Sequence, residues 1–316
     1  MPDTRLLRIS RELFLAAFGV QQQNIDFWVI DRLISLMDEE YVQAGQIMAV
    51  AGEALEYIYF MQEGSVRLTQ EGRPPWTFNG RWVLGAYEAH LDRPLVRTST
   101  ALADFRAMKI RTSAWIELLE DSFLLARSTV RFSSAVVARL DERVPGGLPK
   151  PEAEFGRSSS SSVRPPSQSP IIERLAFLSE VDMLKGAGVQ PLAELAVAAR
   201  EVAFASGDVV LEHGPEHQQI FVVIEGEVHA KHDGSEATWR YGPREIVCGA
   251  AAFGGAPGWE VRAACRTRAV SFPIEAWFEL MDEHFDMVRA AVSSLGLRRE
   301  ALLNYLAEQD NGLVLT

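Results

Sequence analysis

The side chains best able to do chemistry in this 316-residue sequence are few and scattered. His229 and His232 flank Lys231 in a stretch with strand character. Their odd separation turns them to opposite faces of a strand, which argues against one shared metal. Cys248 and Cys265 are the only two thiols, too few for a disulfide framework. They read as core thiols in a reducing compartment, with a redox pair as the alternative. Between them lies Gly249-Ala250-Ala251-Ala252, a helix start, with Trp259, Arg262, Arg266 and Arg268 following. The sequence contains no phosphate-cradling Gly-Lys-Ser/Thr loop, no nucleophile elbow and no metal-spaced cysteine pair. Scattered Asp and Glu allow no assignable acid and base, so no enzyme is expected.

The elements that hold these residues occur twice. Residues 45–68 align without a gap on 207–230 at a constant offset of 162. Six of these 24 pairs are identical: Gly45/Gly207, Gly52/Gly214, Ile58/Ile220, Glu63/Glu225, Gly64/Gly226 and Val66/Val228. The same offset returns where Ala114-Trp115-Ile116-Glu117-Leu118 meets Ala276-Trp277-Phe278-Glu279-Leu280. One offset kept over two separated blocks implies a duplicated domain, and two copies are too few for a solenoid. Each copy reads as a helical stretch (25–37 or 190–200), then short glycine-punctuated strands, then a closing helix. That order predicts a sandwich or roll with flanking helices. The expected division is a first domain over 1–143, a flexible Pro- and Ser-rich tether over 144–170 and a second domain over 171–316. Near the N-terminus, Ser10 and Leu13 read as a helix start rather than part of a signal peptide.

The closing helices carry matching apolar stripes. Phe123, Ala126, Val130, Ser133, Val137 and Leu140 are spaced 3-4-3-4-3, and so are Phe285, Val288, Val292, Leu295, Arg299 and Leu302. Such stripes form a/d seams, each here with one polar or charged member. The first turns are expected to pack on their own rolls. The distal turns predict a helix–helix seam, within one chain as a pseudo-dimer or between chains as a homodimer. A net charge of −12 disfavours nucleic acid and anionic membrane surfaces as partners. No apolar run reaches transmembrane length, and a cytoplasmic protein is expected.

The framework of Gly45, Gly52, Tyr57-Ile58-Tyr59-Phe60 and Gly64-Ser65-Val66, followed by a glycine-containing cassette, Trp115 and a long helix, resembles the cyclic nucleotide-binding domain. The resemblance covers about residues 25–140 and 173–300. It implies two tandem jelly-roll β-rolls, a mainly β fold with flanking helices, each roll followed by a long helix. It also implies a phosphate-binding cassette whose Glu accepts a ribose hydroxyl and whose Arg, after a Pro, pairs with the cyclic phosphate. In the first repeat the cassette runs from Gly85 through Glu88 and Ala89 to Arg97 and Thr98. Leu95 follows Pro94 where the family has Arg, and Arg97 lies two residues on, on the same strand face. A cyclic nucleotide held by Glu88 and Arg97 is therefore allowed here. The alternative is that the two merely form a partly exposed ion pair.

The second cassette runs from Gly249 and Ala250 to Gly258, Trp259 and Arg262. It lacks both the carboxylate and the Arg after Pro257, so no ordinary nucleotide site is expected. His213, His217 and Gln219 suggest, by resemblance, the first motif of the metal-binding cupins. Its closely spaced His pair is missing, however, and a metal enzyme is the least favoured reading. The residues after Tyr305 are too few for the DNA-binding module of the family's transcription factors. The sequence thus points to a non-enzymatic regulatory or scaffold protein that acts on a protein partner. Nucleotide sensing belongs to the first domain, and a ligand-independent interaction module is the alternative.

Overall fold

The computed structural model describes residues 27–150, 170–212, 218–255 and 258–316. The helix start at Ser10 and Leu13, Gly214, and the pair His213 and His217 lie outside the described residues. The chain divides into two compact units, one of residues 1–132 and 296–316, the other of residues 133–295. Both are mainly β with flanking helices, the jelly-roll class expected from the sequence.

In unit one, helix α1 (Phe27–Ser35) leads into strands β1 (Met37–Val42), β2 (Ile47–Ala49), β3 (Tyr57–Met61), β4 (Ser65–Gln70), β5 (Arg73–Asn79), β6 (Trp82–Leu84), β7 (Thr98–Ala101) and β8 (Phe105–Arg111). Helices α2 (Thr112–Glu120) and α3 (Phe123–Glu142) follow. One sheet has the order β1-β8-β3-β6. Ile58, Phe60 and Met61 in β3 and Val66 in β4 are buried, as their apolar repeat positions require. Ser122 starts α3, its hydroxyl accepting the Leu125 N–H at 3.4 Å, a normal N-cap role for serine.

Unit two begins within α3, at residue 133. It continues through α4 (Ile171–Leu178), α5 (Val189–Ala198), β9 (Arg200–Phe204), β10 (Val209–Leu211), β11 (Gln219–Glu225), β12 (Val228–His232), β13 (Trp239–Tyr241), α6 (Gly249–Gly254), β14 (Trp259–Ala263), β15 (Thr267–Pro273) and α7 (Ile274–Glu283). Its sheets have the orders β10-β14-β12-β13 and β11-β15-β9. Strand β14 alternates buried and exposed residues, so Trp259, Val261 and Ala263 face the core while Glu260 and Arg262 face water. Ala138 of α3 belongs to the same apolar cluster. A Cβ on Gly254 would meet the Ala135 backbone nitrogen at 2.7 Å, so this glycine permits α6 to touch α3.

Residues 144–150, read from sequence as the start of the tether, are fixed to unit two. Val144 is buried, and Lys150 Nζ donates to Glu245 Oε1 at 2.6 Å and to the Arg240 carbonyl at 2.7 Å. Helix α8 (Phe285–Asp310) starts in unit two, and its residues from 296 onward belong to unit one. Asn311 ends it in the left-handed conformation (φ 52°), with the Gly312 N–H donating to the Ala307 carbonyl at 2.9 Å. Strand β16 (Leu313–Leu315) then pairs in parallel with β5, Leu313 opposite Trp76, and completes the sheet β16-β5-β4-β7-β2.

Candidate functional site

Unit one contains a cavity of about 60 Å³ between its first cassette and the last turns of α8. Gly85, Glu88, Leu95, Arg97 and Ser99 line it from the cassette side, Tyr57, Tyr59 and Trp76 from the strands, and Arg299 and Glu300 from the helix. Gly85 has a φ of 92°, and a Cβ there would approach Leu55 Cδ2 at 3.0 Å. Glycine therefore both permits the turn and leaves room for the cavity wall. Glu88 opens a short 3-10 helix (Glu88–His90), and the Ala89 N–H donates to the Gly85 carbonyl at 2.9 Å. Leu95, Val96 and Arg97 all line the cavity from the loop before β7, so the strand alternation expected from the sequence does not operate here.

Arg97 is the chemical centre of this cavity. Its side chain is 5% exposed and its guanidinium lies 3.7 Å from the centre of the Trp76 ring. It donates to Asn304 Oδ1 at 2.7 Å and to the carbonyls of Pro74 at 3.2 Å and Leu68 at 3.4 Å. These acceptors are neutral, so burial is poorly offset, and it pulls the guanidinium down to about 10. Among the described residues, Arg97 Nε and Trp76 Nε1 are buried without hydrogen-bond partners. Trp239, Trp259 and Trp277 show the same unpartnered Nε1 in the core, so it is the charged Arg97 that makes this wall suit an oxygen-rich ligand.

Glu88 does not pair with Arg97, as the ion-pair alternative required. Its Oε1 lies 3.6 Å from Arg299 Nη1, and Arg299 also lies 4.7 Å from the centre of the Tyr87 ring. Arg93, at the cavity edge, pairs with Glu300. Thr98 faces another way, its Oγ1 accepting the Ala51 N–H at 3.0 Å. Tyr59 is pushed up to about 12, mainly by burial and then by Glu40, and so stays a neutral phenol in the wall.

Sequence reasoning missed Trp76, Glu300 and Asn304, and assigned Arg299 to a helix seam. The available signal was Arg299 itself, a charged residue in an otherwise apolar stripe. Gly296, one turn earlier, lets the helix come close: a Cβ there would lie 3.3 Å from Tyr87 Cβ.

The second cassette is filled. Trp259 is 2% exposed, and its ring packs edge-on to Trp239 and His232, each with centroids 5.0 Å away. Gly249 is buried and Ala250 half-buried in α6. A Cβ on Gly258 would come 3.1 Å from His232 Nε2. Arg262 is exposed and pairs with Glu260. Among the described residues of this cassette, the side chains form core and surface, with no cluster of polar groups around a void. His229 Nε2 lies 2.6 Å from Glu227 Oε1, whereas His232 faces Trp259, so the two histidines serve separate contacts. Burial pushes the Cys248 thiol up to about 12.

The helix stripes are buried within a single chain. Ala126, Val130, Val137 and Leu140 of α3 and Val288, Val292, Leu295 and Leu302 of α8 are buried, while Phe123 and Phe285 are half-buried. The polar members are buried too: Ser133 at 4% exposure, and Arg299, which is drawn into the cavity wall. Among the described residues, no helix is long and apolar enough to cross a membrane.

Residues 201–284 match the family model of the cyclic nucleotide-binding domain. No curated protein sequence matches the chain. The solved structures it resembles include the regulatory domain of Toxoplasma gondii PKA with cAMP (15% identity, 92% of this chain and 95% of that one, TM-score 0.33). They also include the regulatory subunit of a cAMP-independent protein kinase A from Trypanosoma brucei (16% identity, 98% and 94%, TM-score 0.35). The sensor domain of the transcriptional regulator DNR from Pseudomonas aeruginosa covers 45% of this chain and 95% of its own length (17% identity, TM-score 0.36). The segment matched by the family model runs from β9 to α7 and lies within unit two, the unit whose cassette is filled.

Proposed function

We propose that this chain is a non-enzymatic, cytoplasmic regulatory protein of two cyclic-nucleotide-binding-like domains. In this reading the first domain senses a small phosphate-bearing ligand, in the simplest case a cyclic nucleotide, and the second is a structural copy. The 162-residue repeat supports the tandem arrangement. The observation that carries the sensing role is Arg97: a buried guanidinium with an unpartnered Nε, stacked on Trp76 at the wall of the cavity. Arg97 would hold the phosphate and Glu88 the ribose hydroxyl. The chain's own residues bind and orient; nothing in the cavity is arranged as acid, base or nucleophile. The response would pass to a protein partner.

Thermal shift tests this reading. A ligand that binds only the folded state raises the melting temperature by mass action, by an amount equivalent to about 2.7 kcal/mol at a hundredfold excess over Kd. Cyclic AMP or cyclic GMP at millimolar concentration should raise it in the wild type and leave Arg97→Ala unchanged. No shift with either nucleotide would remove the sensing role.

A second reading has its own support. A cavity of about 60 Å³ is small beside ligand pockets, which typically span about 300–1,000 Å³. As it stands the cavity favours a ligand-independent interaction module built on α3 and α8. The sequence division into 1–143, 144–170 and 171–316 belongs to either reading. Limited proteolysis checks it: a first cut between Lys150 and Pro170 supports it, and a first cut inside a roll counts against it.

A further inference from the structure

We propose that residues 296–316 are an internal surrogate ligand of the first roll, with Asn304 standing on Arg97 where the anion of a bound ligand would stand. The inference rests on reading the cavity as a phosphate site, and it adds that docking of this segment and binding of a ligand exclude one another.

Each charged group of the cassette side has a contact from this one stretch of chain. Asn304 accepts from Arg97 Nη2 at 2.7 Å, Arg299 faces Glu88 at 3.6 Å, and Glu300 pairs with Arg93. Glu300 lies one turn before Asn304 on the same helix face, and Arg299 is its chain neighbour. The occupation is imperfect in one respect. Three guanidinium groups, Arg93, Arg97 and Arg299, meet two carboxylates, Glu88 and Glu300. Arg97 is the cation left with neutral acceptors only, and an amide oxygen is a weaker acceptor than a phosphate oxygen. A ligand with a single negative charge therefore gains at Arg97 what Asn304 does not supply.

The cavity beside the segment is small, about 60 Å³, so a nucleotide-sized ligand competes for it with Arg299 and Glu300 and, at Arg97, with Asn304. Displacement is coupled to the end of the chain through Trp76, which is both the shelf under Arg97 and the partner of Leu313 in the parallel β5–β16 pairing. Release of the helix end would also uncover the edge of β5, a strand edge able to pair with another chain. Docking is held in turn by buried Leu302, Leu303, Leu306, Leu313 and Leu315, which a ligand's gain at Arg97 has to offset.

Hydrogen exchange of peptides from 296–316, measured with calorimetry on the full chain, tests this. Asn304→Ala should speed exchange at 313–315 and strengthen cyclic AMP binding about tenfold, the factor expected from removing one competing contact. Asn304→Asp gives Arg97 a carboxylate, and should slow that exchange and weaken binding by a similar factor. In the wild type, saturating cyclic AMP should speed exchange across 296–316. Cyclic AMP that binds while exchange there slows or stays unchanged makes the segment a lid and overturns the latch. Unchanged exchange in Asn304→Ala overturns it whether or not a nucleotide binds. Faster exchange in Asn304→Ala, with no binding of cyclic AMP or cyclic GMP to any variant, keeps the latch and removes the nucleotide reading alone.

Discussion

Replacing Trp259 with alanine should cost unit two about 4 kcal/mol and yield no nucleotide site. The indole is 2% exposed and sits in one apolar cluster with Val210, Val228, Trp239, Val261 and Ala263. A buried Trp removes roughly 200 Å² from water, which at about 25 cal/mol per Å² sets an upper bound near 5 kcal/mol. Measured large-to-alanine truncations of aromatics cost about 3–5 kcal/mol, cavity included. The two edge-on ring contacts at 5.0 Å lie within that figure. No hydrogen bond adds to the loss, since Trp259 Nε1 has no partner among the described residues. Urea unfolding followed by far-ultraviolet circular dichroism measures the change, with Trp259→Phe expected to lose roughly half as much because it refills most of the void. The void left by Trp259→Ala is apolar, and Arg262 points to solvent, so cyclic AMP should still not bind unit two. A loss below about 1 kcal/mol would mean the indole is outside the core. A new nucleotide site on unit two in the variant would refute the view that its cassette lacks the necessary groups.

Three further outcomes follow from burial and charge. Cys248 is buried and its thiol lies at about 12, while Cys265 is half-buried, so a thiol reagent at neutral pH should label Cys265 readily and Cys248 only on unfolding. Rapid labelling of both in the native protein would contradict this. The folded thiol of Cys248 lies above the ordinary value of 9.0 and the Tyr59 phenol, at about 12, above its 10.0. The stability the two contribute is therefore complete below about pH 9 and lost as pH rises toward 12, and denaturant midpoints across that range should fall, less so in Tyr59→Phe. Val130→Asp and Val292→Asp each bury a carboxylate at a position with at most 1% exposure, and should lower the melting temperature by roughly 10 °C. Because the stripe is already covered within one chain, sedimentation of the wild type should report a monomer. A stable dimer that either variant splits would move the seam between chains.

The roll was legible because its turns and core positions are set by local chemistry. Gly64 and Gly226 sit at φ 117° and 95°, and a Cβ at either would strike the Phe105 ring or the Arg266 carbonyl at 2.6 Å. Ile58, Ile220, Val66 and Val228 are all within 1% of complete burial. Such constraints act residue by residue and survive in both copies. The starts of α3 and α8 at Phe123 and Phe285 were legible for the same reason, as the first members of an apolar stripe. The site was only half legible. Arg97 does line the cavity, but from the loop before β7 rather than from a strand, and its partner Asn304 is supplied from far along the chain. Asn304 is an ordinary helix-surface amide by sequence, and Leu313–Leu315 is too short to read as a strand before its pairing with β5 is seen. Trp259 looked like a residue beside a helix start. Its burial depends on the opposing Trp239 and His232, which no local pattern ties to it.

The most direct test of a single phosphate site in the first roll is the stoichiometry of cyclic nucleotide binding by calorimetry. The full chain should bind one molecule of cyclic AMP or cyclic GMP, lose it in Arg97→Ala and in Glu88→Ala, and keep it in Trp259→Phe. Two molecules per chain, or binding that survives Arg97→Ala, would contradict the assignment. No heat with the wild type or with Asn304→Ala would leave α3 and α8, rather than the cavity, as the working part of the protein.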